Sequence, residues 1–473
     1  MVGSEEFTDS VYGIPAPGSR RGSSLTLREY AWVAVIRLGP EPEAESREPK
    51  IGSREPGADV IVIGAGAAGL ATAIFAARAA PSLRVWCLDG ARHLGAKILV
   101  SGGSRCNVTN RVVTERDFWG ATPRFIARVL RAFPAARAVA FFAELGVPLH
   151  EEEHGKLFPD SNQARAVLEA LLDEARRRRV TIETGARVTG LRAAPGGYVV
   201  ERNGGAALTA RAVVLATGGR SLPKSGSDGF GYSLAAGCGH GCVPTTPALV
   251  PLVLRGDAHR ALAGVAHPAA LTLRTGGKTA IRLEGALLWT HFGISGPVVL
   301  NLSRHWHRAV LDAPPAIAID VGLSVLPGET FESVERWLLD ETAARPRAQV
   351  ATVLGARLPH AVAGAWPTAA GLDREITMSH LTREDRRRLA HALVDMPLAV
   401  EDSRGYTYAE VTAGGVPLDE IDTATMESRR QPGLYLVGEI LDVDGRLGGF
   451  NFQWAWSSGW VAGQAIARAL TAD

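Results

Sequence analysis

The chain has 473 residues, of which 46% are hydrophobic, 21% are charged and 6% are aromatic. This composition is typical of a globular protein of about three domains, and it excludes collagen-like, coiled-coil and wholly disordered chains. The 51 lysines and arginines against 49 aspartates and glutamates leave a net charge of +2, so no overall field attracts nucleic acid or a membrane surface.

Cysteine content and apolar runs indicate where the protein works. Four cysteines do not form a disulfide scaffold in a chain of this length. No apolar run reaches the ~18–20 residues of a membrane span, and the acidic start of the chain lacks the apolar core of a secretory signal. We therefore expect a cytoplasmic protein without a membrane partner. Residues 1–57 are rich in Pro, Gly, Ser, Glu and Arg, and we predict that they form a disordered extension.

Regular structure is predicted from residue 58 onward. The apolar run 60–63 predicts a buried strand, the alanine-rich segment 67–80 predicts a helix, and 83–89 predicts a second strand, so the chain opens with a βαβ unit. Further helices are predicted at 122–145 and 162–179, and strands alternate over 180–216.

The pattern changes near residue 245, where short β-like segments are separated by Gly and Pro turns. Helical patterns then follow at 330–345, 348–364 and 382–395. A buried strand at 435–438 precedes a glycine-rich loop and a terminal helix. These observations predict an α/β fold with a discontinuous nucleotide-binding domain and a β-rich insertion that carries helices. The predicted boundaries are 58–244 and 405–473 for the first domain, 245–330 and 396–404 for the β-rich domain, and 331–395 for the helical subdomain.

A dinucleotide-binding fingerprint lies between the first strand and the first helix. Gly64, Gly66 and Gly69 form G-x-G-x-x-G with Ala67 and Ala68, and the second strand ends in Asp89. In this arrangement Gly64 makes the tight turn, Gly66 lets the backbone approach a pyrophosphate, and Gly69 lets helix and strand pack closely. Asp89 is expected to accept hydrogen bonds from ribose hydroxyls and to repel a 2′-phosphate.

Two more strand ends indicate an elongated ligand. Ala216, Thr217 and Gly218 close one apolar strand, and Gly438 and Glu439 close another. Three separated contact points favour a cofactor as long as FAD, with Glu439 placed to bind the ribityl chain. The loop Gly449-Phe450-Asn451 precedes the terminal helix, whose first N–H groups are expected to stabilise negative charge on a flavin.

Several segments resemble the YhiN/BaiN/RdsA-type family of FAD-dependent oxidoreductases. They cover most of the chain from residue 58, in the expected order, and comprise 59–73, 95–110, 156–164, 216–232, 290–297, 410–416 and 434–459. Two residues depart from the family pattern, because Ala96 stands where Arg is usual and Ser104 stands where Gly is usual within SGGGRCN.

The resemblance implies a Rossmann-like FAD-binding domain, a β-barrel-like insertion and a helical subdomain. It also implies a flavin-dependent reductase of a C=C bond conjugated to a carbonyl. The substrate classes associated with the family are ribosomal RNA uridine, which is reduced to dihydrouridine, and unsaturated steroid-type acids. We therefore expect a nucleobase or small-molecule substrate, with rRNA as a possible partner, and the sequence gives no oligomeric state.

The polar loop 101–107 supplies candidate residues for the flavin and for catalysis. We expect the cofactor to be bound in part by a group comprising Lys97, Ser101, Gly103, Arg105, Asn107 and Val188. Cys106 and His291 are the candidate acids for protonating carbon. The alternatives are that Cys106 is a packed core residue and that His291 forms only local hydrogen bonds.

Other patterns in the sequence have simpler interpretations than a functional site. Cys238-Gly-His-Gly-Cys242 lacks a second ligand pair, so a glycine-rich turn is favoured over a metal site. The arginines of 124–131, 176–179 and 386–388 could follow RNA phosphates, although solvated faces are favoured in an arginine-rich chain. No second G-x-G-x-x-G follows a strand, so we expect NAD(P)H to visit the flavin transiently as a donor, to share the substrate cleft, or to be replaced by another donor. A flavin-dependent hydroxylase or oxidase and a non-catalytic FAD-binding protein are the alternative functions.

Overall fold

A computed structural model of the protein describes residues 57–472, and the predicted disordered extension therefore lies outside the described residues. The α-helices of this range are α1 (Ala67–Ala79), α2 (Ala96–Ser104), α3 (Pro123–Ala132), α4 (Ala135–Glu144), α5 (Ala164–Arg177), α6 (Phe230–Gly237), α7 (Pro297–Asp312), α8 (Phe331–Ala344), α9 (Val350–Leu354), α10 (His360–Ala369), α11 (Arg383–Asp395) and α12 (Phe450–Thr471).

The β-strands fall into two runs along the chain. Those up to residue 248 are β1 (Ala58–Ile63), β2 (Val85–Asp89), β3 (Thr109–Asn110), β4 (Phe118–Gly120), β5 (Leu149–Glu152), β6 (Lys156–Pro159), β7 (Thr181–Thr184), β8 (Val188–Ala194), β9 (Gly197–Arg202), β10 (Leu208–Leu215) and β11 (Val243–Ala248). The later strands are β12 (Leu252–Leu254), β13 (Ala266–Thr275), β14 (Lys278–Thr290), β15 (Gly293–Ser295), β16 (Ile319–Ser324), β17 (Met396–Leu398), β18 (Val400–Ser403), β19 (Val411–Gly415), β20 (Ile421–Asp422), β21 (Glu427–Ser428), β22 (Leu434–Leu436) and β23 (Val443–Gly445).

The nucleotide-binding sheet has a parallel centre in the order β22-β10-β1-β2-β7. The short strands β20 and β21 extend it beyond β22, and the β8–β9 hairpin pairs with β10 in antiparallel fashion. Strand β1 is almost continuously apolar and buried, as expected for a parallel strand covered on both faces. The register aligns Ile63 with Leu215 and Leu215 with Leu436, so β1, β10 and β22 end at one edge. The predicted Rossmann-like fold is confirmed.

Two helices pack against each other beside this sheet because α12 presents glycines to α1. A Cβ atom at Gly459 would lie 2.9 Å from the Ala68 carbonyl oxygen, and one at Gly463 would lie 2.8 Å from the Ala76 nitrogen. The missing side chains let the helix backbones approach closely. As a result, the first turns of both helices lie at the same edge of the sheet as the strand ends.

The inserted region is a seven-stranded antiparallel sheet in the order β17-β16-β13-β14-β15-β12-β18. The two strands at the ends of this order are separated in the chain by Ala399 alone, so the sheet curves back on itself as a barrel-like structure does. Helices α8 to α11 lie between β16 and β17 in sequence and share a separate hydrophobic core with the sheet, which includes Leu271, Trp289 and Leu389. The described residues form one compact unit, and the domain boundaries proposed from the sequence stay a prediction.

Several local predictions need revision. The helix predicted over 122–145 is two helices on either side of Pro134, and the helix predicted over 348–364 covers α9 and only the first half of α10. Helix α7 was not predicted, although Gly296 and Pro297 form a common helix start. Both ring nitrogens of His240, within the cysteine-flanked turn, lie 2.8 Å from side-chain oxygens of Glu420 and Ser428. None of the helices within residues 57–472 combines the length and apolar character needed to cross a bilayer.

Candidate functional site

A cavity of about 830 Å³ lies at the carboxyl edge of the parallel sheet. Its walls include Gly64 and Gly66 after β1, Ala216 to Gly218 after β10, and Gly438 and Glu439 after β22. The structure therefore brings the three predicted strand ends to one place. All of the predicted cofactor residues except Gly69 and Phe450 line this cavity.

The three fingerprint glycines have different surroundings. Gly64 has φ +102°, and a Cβ atom there would lie 2.5 Å from the Ala216 carbonyl oxygen. A Cβ atom at Gly69 would lie 1.9 Å from the Gly64 carbonyl oxygen, so this residue serves helix–strand packing. Gly66 has no heavy atom within 4 Å of its Cβ position, which faces the cavity. Only Gly66 therefore leaves room for a ligand.

Helix α1 starts at this loop with its N–H groups available. Its N-cap, Gly66, provides no side-chain hydrogen bond, and the first turn carries no acidic residue. The first N–H groups of a helix lack partners within the helix and attract anions. Ala67 and Ala68 line the cavity, so this helix start can bind a phosphate group of a ligand.

One end of the cavity suits a nucleoside. Asp89 Oδ2 accepts a hydrogen bond from the Ala65 N–H at 2.7 Å, and Oδ1 accepts one from the Ala91 N–H at 2.8 Å. Each carboxylate oxygen has capacity for a second bond, which a ribose hydroxyl can donate. Arg187 and Val188 line the same end, where the Arg187 guanidinium lies 5.0 Å from the Phe230 ring centre.

A hydrogen-bonded network fixes the carboxylate of Glu439. Lys97 Nζ lies 2.5 Å from Glu439 Oε2 and donates to Ser221 Oγ at 2.6 Å. Ser221 Oγ donates to Glu439 Oε1 at 2.7 Å, and the Thr412 N–H donates to the same oxygen at 3.0 Å. These contacts join α2, the segment after β10, β19 and the end of β22, so the carboxylate is held in one position at the cavity wall.

The loop predicted at 101–107 interrupts α2. Gly102 and Gly103 have positive φ angles, and so do Ser104 at 66° and Cys106 at 63°. Ser104 is the residue that replaces the usual glycine, and its left-handed conformation explains why glycine suits this position. Arg105 lies beside them, bonds both carboxylate oxygens of Glu152 at 2.6 and 3.2 Å, and lines the cavity.

At the other end of the cavity, Asn107 meets the start of α12. Asn107 lines the cavity, and its buried Oδ1 has no hydrogen-bond partner among residues 57–472. A Cβ atom at Gly449, the N-cap of α12, would lie 2.8 Å from this oxygen. The helix start has neither a side-chain cap nor an acidic residue in its first turn. An unsatisfied amide oxygen beside uncapped N–H groups is suited to a flat polar ligand with both donors and acceptors. We call this region the α12 end.

The neighbouring residues of the terminal loop have separate roles. Asn451 Oδ1 accepts from the Gly445 N–H at 2.8 Å, and its Nδ2 donates to the Gly445 carbonyl at 2.9 Å. Phe450 is fully buried and lies behind the cavity wall, whereas Phe452 lines the cavity. The buried Oγ atoms of Ser225 and Ser227 also line the cavity and have no hydrogen-bond partner among the described residues. Together with Asn107 Oδ1 they leave polar groups for a long dinucleotide such as FAD to satisfy, so the wall residues fit this cofactor.

The structure does not bring the two predicted acids to the cavity. Cys106 is fully buried, lies behind the lining residues, and has a pKa that burial raises to about 12. His291 is exposed at the turn between β14 and β15, where its ring packs edge-on against Phe292 at 5.1 Å. Neither side chain is part of the cavity wall.

The sequence analysis missed several charged wall residues, which are Lys156, Arg187, Lys224, Asp228, Glu410 and Arg446. Glu410, Lys156 and Arg446 line the α12 end. Lys156 and Glu410 each begin a segment that carries the family resemblance, which was the available signal. Desolvation at the cavity wall raises the pKa of the Glu410 carboxyl, and the nearby Lys156 opposes this change. Arg446 Nε donates to Asp117 Oδ1 at 2.7 Å.

The arginine clusters differ in their partners. Arg177 and Arg178 bond the buried carboxylate of Glu174, and Arg388 pairs with Asp385. In contrast, the exposed arginines of α3 have no carboxylate within 4 Å among the described residues. The arginines of 176–179 and 386–388 are thus largely used in intramolecular contacts.

Comparison with known proteins identifies the family. The model described as HI0933-like protein Rossmann domain matches residues 58–465. The chain belongs to this HI0933-like family. The match includes both halves of the nucleotide-binding sheet and the insertion between them, which confirms the resemblance inferred from the motifs.

The chain matches two curated relatives over nearly the whole length of each. The chain is 34% identical over 414 residues to "Ribosomal RNA dihydrouridine synthase" of Escherichia coli, which covers 87% of this chain and 98% of that protein. It is 35% identical over 407 residues to "3-dehydro-bile acid delta(4,6)-reductase" of Clostridium scindens, with coverage of 86% and 98%. Among solved structures, E. coli quinol fumarate reductase matches at a TM-score of 0.45 and 17% identity, covering 87% of this chain and 70% of that chain.

Proposed function

We propose that this protein is an FAD-dependent reductase of a C=C bond conjugated to a carbonyl. The observation that carries the proposal is the convergence of three strand ends and two uncapped helix starts on one cavity. The names of the two curated relatives support it, because both reactions reduce such a bond. They also define the two substrates to test, which are uridine in ribosomal RNA and an unsaturated 3-oxo bile acid.

The wall residues assign a part of FAD to each section of the cavity. The first turn of α1 binds the pyrophosphate, Asp89 binds the adenosine ribose, and Glu439 binds hydroxyls of the ribityl chain. Asn107 and the first turn of α12 bind the polar edge of the isoalloxazine. When bound and reduced, FAD supplies a hydride to the substrate.

Glycine substitutions test cofactor binding directly. Gly66→Val places a side chain in the cavity, where it meets no protein atom within 4 Å of its Cβ, so we expect a folded protein that purifies without flavin colour. Gly69→Val is the matched comparison, because its Cβ clashes with the Gly64 carbonyl and the fold itself should fail. A colourless wild-type protein that takes up no FAD contradicts the proposal, and so does a Gly66→Val protein with normal FAD content.

The substrate is tested by supplying both candidates to reduced enzyme without oxygen. We expect dihydrouridine in unmodified ribosomal RNA or a saturated bond in the bile acid, detected by mass spectrometry. In a deletion strain, unchanged rRNA dihydrouridine would exclude the RNA reaction. Rapid reoxidation of the reduced flavin by oxygen, without either substrate being reduced, would favour the hydroxylase or oxidase.

The electron donor is proposed to be NAD(P)H. The matched family region has no second G-x-G-x-x-G after a strand, and this supports a nicotinamide that enters the same cavity as the substrate. Competitive inhibition between NAD(P)H and the oxidised substrate is therefore expected in steady-state kinetics. The cytoplasmic location is likewise a prediction that fits a reaction on ribosomal RNA.

A further inference from the structure

Glu410 lies near both the ribityl section and the α12 end of the cavity. Its N–H donates to the Leu249 carbonyl at 3.2 Å, and Leu249 is also part of the wall. Two residues further on, the Thr412 N–H bonds the carboxylate of Glu439 at 3.0 Å. Glu410 is therefore held by the start of β19 close to the fixed Glu439 network.

Lys156 connects the same region to the start of α12. It is the β6 partner of Asn110, and Asn110 Nδ2 donates to the Gly448 carbonyl at 3.1 Å, just before the helix. Lys156 is also the cation that acts on the Glu410 carboxyl. The two side chains are thus neighbours in the section of the wall to which the proposed function assigns the isoalloxazine.

The Glu410 side chain is exposed to the cavity and makes no hydrogen bond or ion pair within residues 57–472. Other carboxylates of the wall are engaged, since Asp89 accepts two backbone N–H groups and Glu439 accepts from three donors. A carboxyl in the wall of a cavity, with no hydrogen bond or ion pair to the protein, keeps its proton to a higher pH than a surface glutamate once a bound ligand excludes water from it. It is then able to donate that proton to a ligand in the cavity.

We propose that Glu410 is the acid that protonates the α carbon of the substrate. This inference rests on the proposed reductase function and adds the proton donor to it. The β carbon receives the hydride, the O–H bond of Glu410 breaks, and a new C–H bond forms at the α carbon. The substrate gains two electrons and two hydrogens, and the glutamate carboxylate takes a proton back from solvent.

The test separates protonation from hydride supply. Glu410→Gln keeps the size of the side chain but removes the acidic proton, and Glu410→Asp keeps the acid on a shorter chain. Glu401→Gln, at an exposed position on β18, is the control. Each FAD-loaded protein is reduced with dithionite and mixed without oxygen with unmodified ribosomal RNA or with the unsaturated bile acid. Flavin absorbance is followed through a single turnover.

We expect Glu410→Gln to reoxidise at least ~100-fold more slowly than wild type with the active substrate, as loss of a general acid predicts. Glu410→Asp should fall between the two, and Glu401→Gln should match wild type. FAD content and reoxidation by oxygen should be unchanged in all of them. Reoxidation of Glu410→Gln by the substrate at the wild-type rate overturns the assignment.

An infrared titration tests the acid without turnover. A protonated carboxyl stretch that is present in FAD-loaded wild type, absent in Glu410→Gln, and lost only well above pH ~4.3 supports the proposal. If that band is missing in wild type, or persists in Glu410→Gln, Glu410 is not the acid. If wild type reduces neither substrate, the proposed function fails, and the infrared result still decides whether Glu410 holds the proton.

Discussion

The ion pair of Arg304 and Asp444 connects the inserted region to the glycine-rich loop, and its loss should be costly. Arg304 on α7 donates two hydrogen bonds to Asp444, Nε to Oδ2 at 2.8 Å and Nη2 to Oδ1 at 3.0 Å. The Asp444 side chain is 1% exposed and that of Arg304 is 11% exposed. Arg304→Met leaves a buried carboxylate without its partner, which costs about 3–5 kcal/mol.

The expected change in melting temperature follows from the size of the compact unit. At ~2.1 cal/mol/K per residue, roughly 400 residues unfold with an entropy of about 0.8 kcal/mol/K. The loss of about 3–5 kcal/mol therefore lowers Tm by about 4–6 °C in thermal unfolding followed by circular dichroism at neutral pH. Arg304→Met/Asp444→Leu removes both charges and should recover most of this loss.

The effect should also depend on pH. Burial raises the pKa of Asp444 above its usual value, with Arg304 opposing the change, so removing Arg304 raises it further. A carboxyl whose pKa is higher in the folded state than in the unfolded state stabilises the folded protein when the pH is below the unfolded-state pKa. This stabilisation is lost as the pH rises through the folded-state pKa. The penalty of Arg304→Met should therefore shrink on acidification. A single variant with wild-type Tm, or a double variant less stable than the single one, would refute this reasoning.

Three further predictions concern the loops around the cavity. Ser104→Gly relieves a left-handed φ of 66° and should stabilise the protein by about 0.5–1 kcal/mol, measured by urea unfolding. A lower free energy of unfolding in Ser104→Gly would refute this prediction. Ellman's reagent should label the exposed Cys242 in native protein and leave Cys106 unlabelled at pH 8, because Cys106 is buried and burial raises its pKa to about 12. Labelling of Cys106 would contradict the buried placement. Lys97→Met should weaken FAD retention by about tenfold, because Glu439 loses a charged partner. Equilibrium dialysis measures this retention, and an unchanged value would show that Lys97 does not position Glu439.

Much of the nucleotide-binding region could be predicted because its signals are local. An apolar run, glycines at fixed spacing and an alanine-rich helix define β1 and α1 without reference to the rest of the chain. Helix α7 also carried a local signal, since Gly296 and Pro297 start it and Val298, Val299, Leu302 and Trp306 form its buried face. It was missed because short β-like segments on either side suggested continuous β structure.

Side-chain direction in irregular segments could not be predicted in the same way. Arg105, Cys106 and Asn107 are consecutive, yet the first and last line the cavity and the middle one is buried. The difference arises because Cys106 takes a left-handed φ of 63°, which depends on the glycine turn before it and the packing behind it. A thiol in a polar loop therefore resembled a catalytic group in sequence, although tertiary structure places it in the core.

Glu410 is the reverse case, because its sequence gives no sign of a functional role. In sequence it precedes Val411, Ala413 and two glycines of a buried strand, and this position predicts only a flanking residue of β19. Its chemical importance arises only when β19 pairs with β11 and its start comes beside Leu249 and the Glu439 network. Strand ends and helix starts can therefore predict where a dinucleotide binds, because backbone groups make those contacts. The identity of the proton donor depends instead on which side chain remains unpartnered after distant segments have come together.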